Sequence, residues 1–458
     1  MMKLALPKIL APWTRATLCS LALAAVLVAC GDDPAPKSTS DSDPFEDLPS
    51  NVDGYMDLGE MDPAGFESMV EKNIETLSEQ IRNDSTNVDS YVKRGVAYVS
   101  LYAYSGPAGG DEGLLEQAVA DFTKAIDLDP SNASAYIGRG EAYDFWMQRD
   151  RAVREYDTAV KHLTESIGRD SQDVDALLER AYAYNGLHEF DKRLQDLNSV
   201  IELAPGNPET LISRSFVHYQ SGELDIAIRD LDAAIRLDPN SVSAHNSRGS
   251  AFIETEEYDK ALRDFDKAIS LNPNFRWAYG NRGSVYYLKG EYERAIQDYG
   301  KAIAIRPYNV AYRNRGRAYY DIGEYDKAIQ DYSTAIDKSP DYTAGYRYRG
   351  NAYYMQGEYD KAIQDYSSAI DNSPEYPQTY VDRGFAYYMQ GEYGRAIEDH
   401  ASAIRLDEND PSAYFGRGLA HSSLGDASNA RSDLNRALEL GHDRDKVEAE
   451  LKKLDNNL

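Results

Sequence analysis

Residues 242–275 read VSAHNSRGSAFIETEEYDKALRDFDKAISLNPNF, and residues 276–308 read RWAYGNRGSVYYLKGEYERAIQDYGKAIAIRPY. Laid over one another, the two segments place Arg248 on Arg282, Gly249 on Gly283, Ala261 on Ala295 and Pro273 on Pro307. Each holds two stretches with apolar residues at i, i+3 and i+4, split by a turn such as Gly290-Glu291-Tyr292, which is the pattern of a helical hairpin. A self-similar period of this length decides the fold before any other feature does.

Working outward, a small residue after an arginine recurs at Gly95, Gly140, Ala181, Ser215, Gly249, Gly283, Gly316, Gly350, Gly384 and Gly418. The intervals are 45, 41, then 34 or 33 throughout. Alanine follows twelve residues later in most copies (Ala152, Ala227, Ala261, Ala295, Ala328, Ala362, Ala396, Ala430), and a proline usually closes the unit. Numbering each copy from its start (Val242 is position 1), the small residues fall at 8 and 20, an aromatic at 24, alanine at 27 and proline at 32. This pattern resembles the tetratricopeptide repeat (TPR) family, over about residues 88–443. The resemblance implies an all-α fold, a right-handed solenoid of about ten helical hairpins with capping helices. One hairpin cannot bury its apolar face alone, whereas stacked hairpins share a continuous core.

The organisation expected from sequence is a signal segment at 1–29, a tether at 30–66, an N-terminal cap at 67–87, ten repeats at 88–443 and a C-terminal cap at 444–458. Three departures stand out. The first repeat carries an insertion around residues 103–113, expected to be a Gly-rich loop. The second carries seven extra residues, expected to lengthen its hairpin. Arg193 stands where the third repeat needs alanine, which puts tight packing there in doubt.

The amino-terminal thirty residues read as an address. Lys3, Lys8 and Arg15 precede an apolar run from Thr17 to Ala29, thirteen residues, short of the about 20 that span a bilayer. Leu27-Val28-Ala29-Cys30 resembles the bacterial lipobox, which implies a thioether from the Cys30 sulfur to diacylglycerol, cleavage before Cys30, and acylation of the new amino terminus by a fatty acid such as palmitate. Gly31 lacks the aspartate that retains some lipoproteins at the inner membrane, so the outer membrane of a two-membrane envelope is favoured. Residues 31–66 follow with ten acids against Lys37 alone, and prolines and serines break any helical period, as in a solvated tether.

With 49 Lys+Arg against 77 Asp+Glu the formal charge is −28, and −31 once the signal segment is removed. That excludes nucleic acid, whose binding needs clustered cations, and electrostatic docking on anionic lipid. Cys30 is the one cysteine left after cleavage, and the expected thioether on its sulfur removes redox chemistry. No HExxH, CxxC, GxSxG, P-loop or GxGxxG occurs, so no metal, cofactor or catalytic residue is assigned and the chain is not expected to be an enzyme.

Every copy has arginine at position 7, from Arg94 to Arg417, and an acid at position 23, from Asp121 to Asp433. In an antiparallel hairpin, facing positions sum to a constant. Positions 7 and 23 sum to 30, close to 4 + 27 and 11 + 20, so a structural ion pair is expected. The excess of tyrosine (36, against 11 phenylalanines) follows the period at positions 11, 17 and 24.

Positions 2, 5, 9 and 12 of the first helix form the stripe left free of packing, which in TPR proteins lines a concave groove for an extended peptide or a helix. Repeat six presents Trp277, Gly280, Ser284 and Tyr287 there, and repeat seven Val310, Arg313, Arg317 and Tyr320. Repeat eight presents Ala344, Arg347, Asn351 and Tyr354, and repeat nine Gln378, Val381, Phe385 and Tyr388. Asn281, Asn314 and Tyr348 lie alongside at position 6. Three arginines with no acid in the stripe invert the local charge, and Tyr, Trp and Arg dominate interface hot spots. The expected partner is a protein or peptide that is acidic or ends in a free carboxylate. The family's dicarboxylate-clamp pattern is not met, because Asp382 occupies position 6 of repeat nine. The leading reading is a lipid-anchored scaffold in a bacterial envelope complex. A self-assembling envelope protein and a solenoid for a small ligand or glycan are the alternatives.

Overall fold

The computed structural model describes residues 63–105, 111–339 and 342–456. Cys30, the stretch read as a signal segment and the acidic stretch to residue 62 lie outside these residues. Regular structure among the described residues is helical throughout, from α1 (Pro63–Asn83) to α22 (Arg444–Asn456). Between them, α2 (Val88–Ser105) to α21 (Ala427–Glu439) follow in chain order as the twenty helices of the repeats, nine of whose ten consecutive pairs lie within one unit and pack as hairpins. The contacts divide the chain into two compact units, the first ending at Val285 and the second starting at Tyr286.

The interior of a hairpin is a ring seated on a glycine. In the first unit the Phe265 ring lies where a Cβ on Gly249 would come within 2.7 Å of it; in the second, Tyr366 sits over Gly350 at the same 2.7 Å. Real Cβ atoms do not approach that closely, so the small residue at position 8 is what lets the two helices close on position 24. Both rings are buried, and each stabilises its hairpin by about 2–3 kcal/mol. The alanines at 20 and 27 are fully enclosed, as at Ala261, Ala268, Ala362 and Ala369.

The turn between the two helices needs a residue in the left-handed region at position 15. Gly222, Gly290, Gly323, Gly357, Gly391 and Gly425 supply it at φ between 74° and 82°. Met147, His188 and Glu256, all in the first unit, take the same conformation without glycine's freedom.

The departures resolve individually. The first helix of repeat one runs on to Ser105, into the segment expected to be a loop, because Tyr102 and Ala103 are buried and Tyr104 packs 4.5 Å from Phe66. The extra residues of repeat two all enter its second helix, α5 (Arg149–Arg169), which has 21 residues against the usual 14. Arg193 is enclosed at 4 % exposure, donating to Asn185 Oδ1 at 2.6 Å with its guanidinium over the Phe216 ring. The large side chain is thus accommodated by partners rather than by space. At the amino end, α1 starts at Pro63, inside the stretch read as tether, because Phe66 and Val70 bury against Ala97 and Leu101. At the other end Val447 and Leu454 of α22 cover Leu434 and Ala437.

Candidate functional site

The position-7 arginines are a structural ladder. In the first unit Arg94 meets Asp121, Arg139 meets Glu155, Arg180 meets Asp196, Arg214 meets Asp230 and Arg248 meets Asp264. In the second, Arg315, Arg349, Arg383 and Arg417 meet Asp331, Asp365, Asp399 and Asp433. Most are bidentate forks, with Nε and Nη2 each 2.6–2.9 Å from one carboxylate oxygen. A third donor was not foreseen. Nη1 crosses to the preceding hairpin, from Arg180 to Thr164, Arg214 to Asn198, Arg349 to Ser333 and Arg383 to Ser367. These four arginines therefore each close their own hairpin and tie it to the one before. Burial pushes the Asp264 carboxyl up, but Arg248 and His245 outweigh it and hold it below the usual range.

The first-helix stripe of the second unit is a set of tyrosine pairs and engaged arginines. Tyr287, Tyr320, Tyr354 and Tyr388 each pack on the position-17 tyrosine of their own hairpin, with ring centroids 5.4 Å apart. Tyr287 also donates its hydroxyl to Asp321, and burial followed by that bond pushes its phenol up. Arg317 lies over the Tyr287 ring at 5.1 Å. Arg313 donates to Asn314 Oδ1 at 3.2 Å and lies over the Tyr342 ring. Asn351 accepts from the Tyr366 hydroxyl at 2.7 Å, and Tyr348 stacks on Tyr332.

Two expectations change here. Arg347 is committed, because its Nε donates to Asp382 at 2.8 Å and its side chain is only one-fifth exposed. The stripe therefore meets an acid from position 6 of the next repeat, and Arg313 and Arg317 are themselves engaged with the Tyr342 and Tyr287 rings. Trp277 and Asn281, in the first unit, are each only 6 % exposed. The Trp277 ring is covered by Arg276 at 4.4 Å, and Asn281 donates to Asn246 and Ser250 in a buried polar cluster. Neither side chain presents a free face.

Tyr342 and Tyr376 are additions that sequence reasoning missed. They precede the first helices of repeats eight and nine, where a side-chain cap belongs, yet neither makes one. In the first unit Asn132, Asp173, Asn207 and Ser241 all cap at this place. The tyrosines instead lie against the position-5 arginines of the preceding repeats, Tyr342 at Arg313 and Tyr376 at Arg347. The missing cap residue was the readable signal.

Among the described residues no group of His, Cys, Asp and Glu is placed to hold a metal ion, and no helix is long and apolar enough to cross a membrane.

Family models of the tetratricopeptide repeat match residues 111–144, 216–255 and 386–425, 242–275 and 277–309, 313–377, and 411–440. With the hairpins in hand, these matches identify the chain as one built of tetratricopeptide repeats. Among solved structures, a tetratricopeptide repeat protein from Parabacteroides merdae is similar at 24 % identity, covering 54 % of this chain and 98 % of that one, with a TM-score of 0.43. YrrB, described as a TPR protein with an unusual peptide-binding site, is 19 % identical over 40 % of this chain and 95 % of its own, at 0.37. Yeast Tom70 is 15 % identical over 85 % and 96 %, at 0.39. No curated protein matches the chain.

Proposed function

We propose that this protein is a lipid-anchored scaffold of the bacterial envelope that holds an acidic or carboxylate-ended peptide segment of a partner against the first-helix stripe of repeats seven to nine. The observation that carries the reading is the surrender of helix caps at Tyr342 and Tyr376 to place rings against stripe arginines. A tyrosine there forgoes about 1 kcal/mol of capping, and an aromatic shelf beside guanidinium groups is the composition of a binding hot spot. Tyr320, Tyr354 and Tyr388, fixed by their tyrosine partners, would lie under the peptide; Arg313 and Arg317 would meet its carboxylates, with Asn314 orienting Arg313. The anchor rests on Cys30 behind a signal-like segment, with the acidic tether as spacer; more than one buried acyl chain gives stable attachment.

The test is a peptide array probed with the full chain, carrying acid-rich sequences with free and with amidated carboxyl termini. Acidic peptides are expected to bind, and Arg313→Glu with Arg317→Glu to reduce their binding at least tenfold. Equal binding by the double variant overturns the stripe. Separately, Cys30→Ser should move the protein from the membrane to the soluble fraction.

A further inference from the structure

A second site lies in the first unit. A cavity of about 300 Å³ opens between the first helices of repeats one and two, over the turn that joins them. Val92, Val96 and Ile137 form its apolar floor, and Asp89, Asp129 and Glu141 supply its charge. Among the described residues that line it there is no lysine, arginine or histidine.

Glu141 is the residue that needs explaining. It occupies position 9 of the stripe, is 2 % exposed, and its Oε1 has no hydrogen-bond partner among the described residues. An unpartnered buried carboxyl loses its hydration and gains nothing in return. Burial, followed by the neighbouring Asp144, holds it well above the usual carboxylate range. Other repeats place Val96, Phe216 or Ser250 at the same position without that penalty, Ser250 donating to the Asn246 carbonyl. The surrounding acids are otherwise occupied. Asp89 pairs with Lys93 at the rim, Asp129 accepts from Ser131, and Asp144 accepts from Tyr156 and Arg149. Glu179 accepts from Ser134, which also lines the cavity. Of these acids Glu141 alone has a buried carboxylate oxygen with no partner among the described residues.

We infer that this cavity is a binding site for a lysine or arginine side chain of a partner peptide. The aliphatic stem would lie along Val92, Val96 and Ile137, and the cationic head would meet Glu141, with Asp89 at the mouth. A cation delivered on an apolar stem matches both features of the lining; a free ion would leave the floor bare, and an apolar side chain would leave Glu141 unpaired. This site is separate from the acidic-peptide stripe, lies in the other unit, and reads the opposite charge.

The experiment measures fluorescence anisotropy of the full chain with nonapeptide pools that have random neutral flanks and a central lysine, arginine, norleucine, glutamine or glutamate. The lysine or arginine pool should bind at least tenfold more tightly than norleucine. Glu141→Gln should cut that preference below threefold, and Asp89→Lys, a change at an exposed rim position, should weaken it as well. Arg313→Glu with Arg317→Glu should leave it unchanged, so loss of the stripe reading and loss of this one are told apart. Absence of a basic preference, or its survival in both Glu141→Gln and Asp89→Lys, overturns the inference. So does competition by cadaverine as effective as by the lysine pool, which would mean a site for free amines.

Discussion

The units before and after Tyr286 carry the same ladder and differ in nearly everything laid on top of it. The first has side-chain caps at Asn132, Asp173, Asn207 and Ser241, three non-glycine residues in its left-handed turns, and a lone acid at position 9. The second has glycine in every such turn, tyrosines in place of three caps, and Arg317 at position 9. Position 7, position 23 and the slot at position 24 hold the hairpins together and hardly vary. Caps, turns and the first-helix stripe vary because the hairpin survives their loss. The difference separates what builds the solenoid from what is free to specialise.

If the ladder is common to both units, breaking it must cost the same in each. Arg214→Ala and Arg349→Ala should each destabilise by about 2–4 kcal/mol, because removal leaves Asp230 or Asp365 buried without its partner. The arginines are about one-fifth exposed, which places the expectation below the full penalty of an enclosed pair. Urea unfolding of the two variants measures it. A loss confined to one unit would show that the ladder supports only part of the chain.

The slot at position 24 sharpens the comparison further. In the second unit Tyr332 and Tyr366 fill it, Tyr366 donating to Asn351, but repeat nine has His400 there. Its ring is fully enclosed between Gly384 and Gly416, edge-on to Phe385, and neither nitrogen has a partner among the described residues. Burial, and then Arg417, lower its pKa to about 3. The unfolded chain protonates near 6.5, so the unfolded state binds the extra proton. The contribution of neutral His400 is complete above that value and is lost as pH falls toward about 3. At roughly 1.4 kcal/mol per unit, the loss reaches about 2–3 kcal/mol by pH 4.5. His400→Leu, the residue used at Leu231 and Leu434, should abolish that component. Urea midpoints of wild type and variant from pH 7.5 to 4.5 should diverge; parallel curves would mean that the ring is hydrated.

How far the sequence reached follows the same division. The hairpins and the Arg–acid pairs were legible because both are set by a period and by antiparallel geometry within one copy. The third donor of Arg180, Arg214, Arg349 and Arg383 was not, since it depends on the offset between consecutive hairpins. Arg347 read as a free cation because its acid, Asp382, comes from the next repeat. Trp277 and Asn281 shared the period of a groove but are closed over by Arg276 and by Asn246 with Ser250. Glu141 looked like one more acid in a chain of −28. Only the cavity, assembled from two helices and a turn, distinguishes it.

The smallest expected effect has the opposite sign. Glu256 holds φ at 57° at the turn position where the second unit has glycine throughout. A side chain in the left-handed region costs about 1–2 kcal/mol against the right-handed one, while glycine loses about 0.5–1 kcal/mol more backbone entropy on folding. The balance leaves Glu256→Gly stabilising by roughly 0.5–1 kcal/mol, a shift to be read as a raised urea midpoint. Among the described residues the exposed Glu256 side chain makes no hydrogen bond or ion pair that its removal would forfeit. Gly290→Ala, the reverse change in the second unit, should lower the midpoint by a similar amount, because the space around it is open and only the φ of 74° resists a Cβ. If Glu256→Gly is neutral and Gly290→Ala is costly, the first unit's turn has relaxed around its non-glycine residue, and the two units then differ in backbone as well as in side chains.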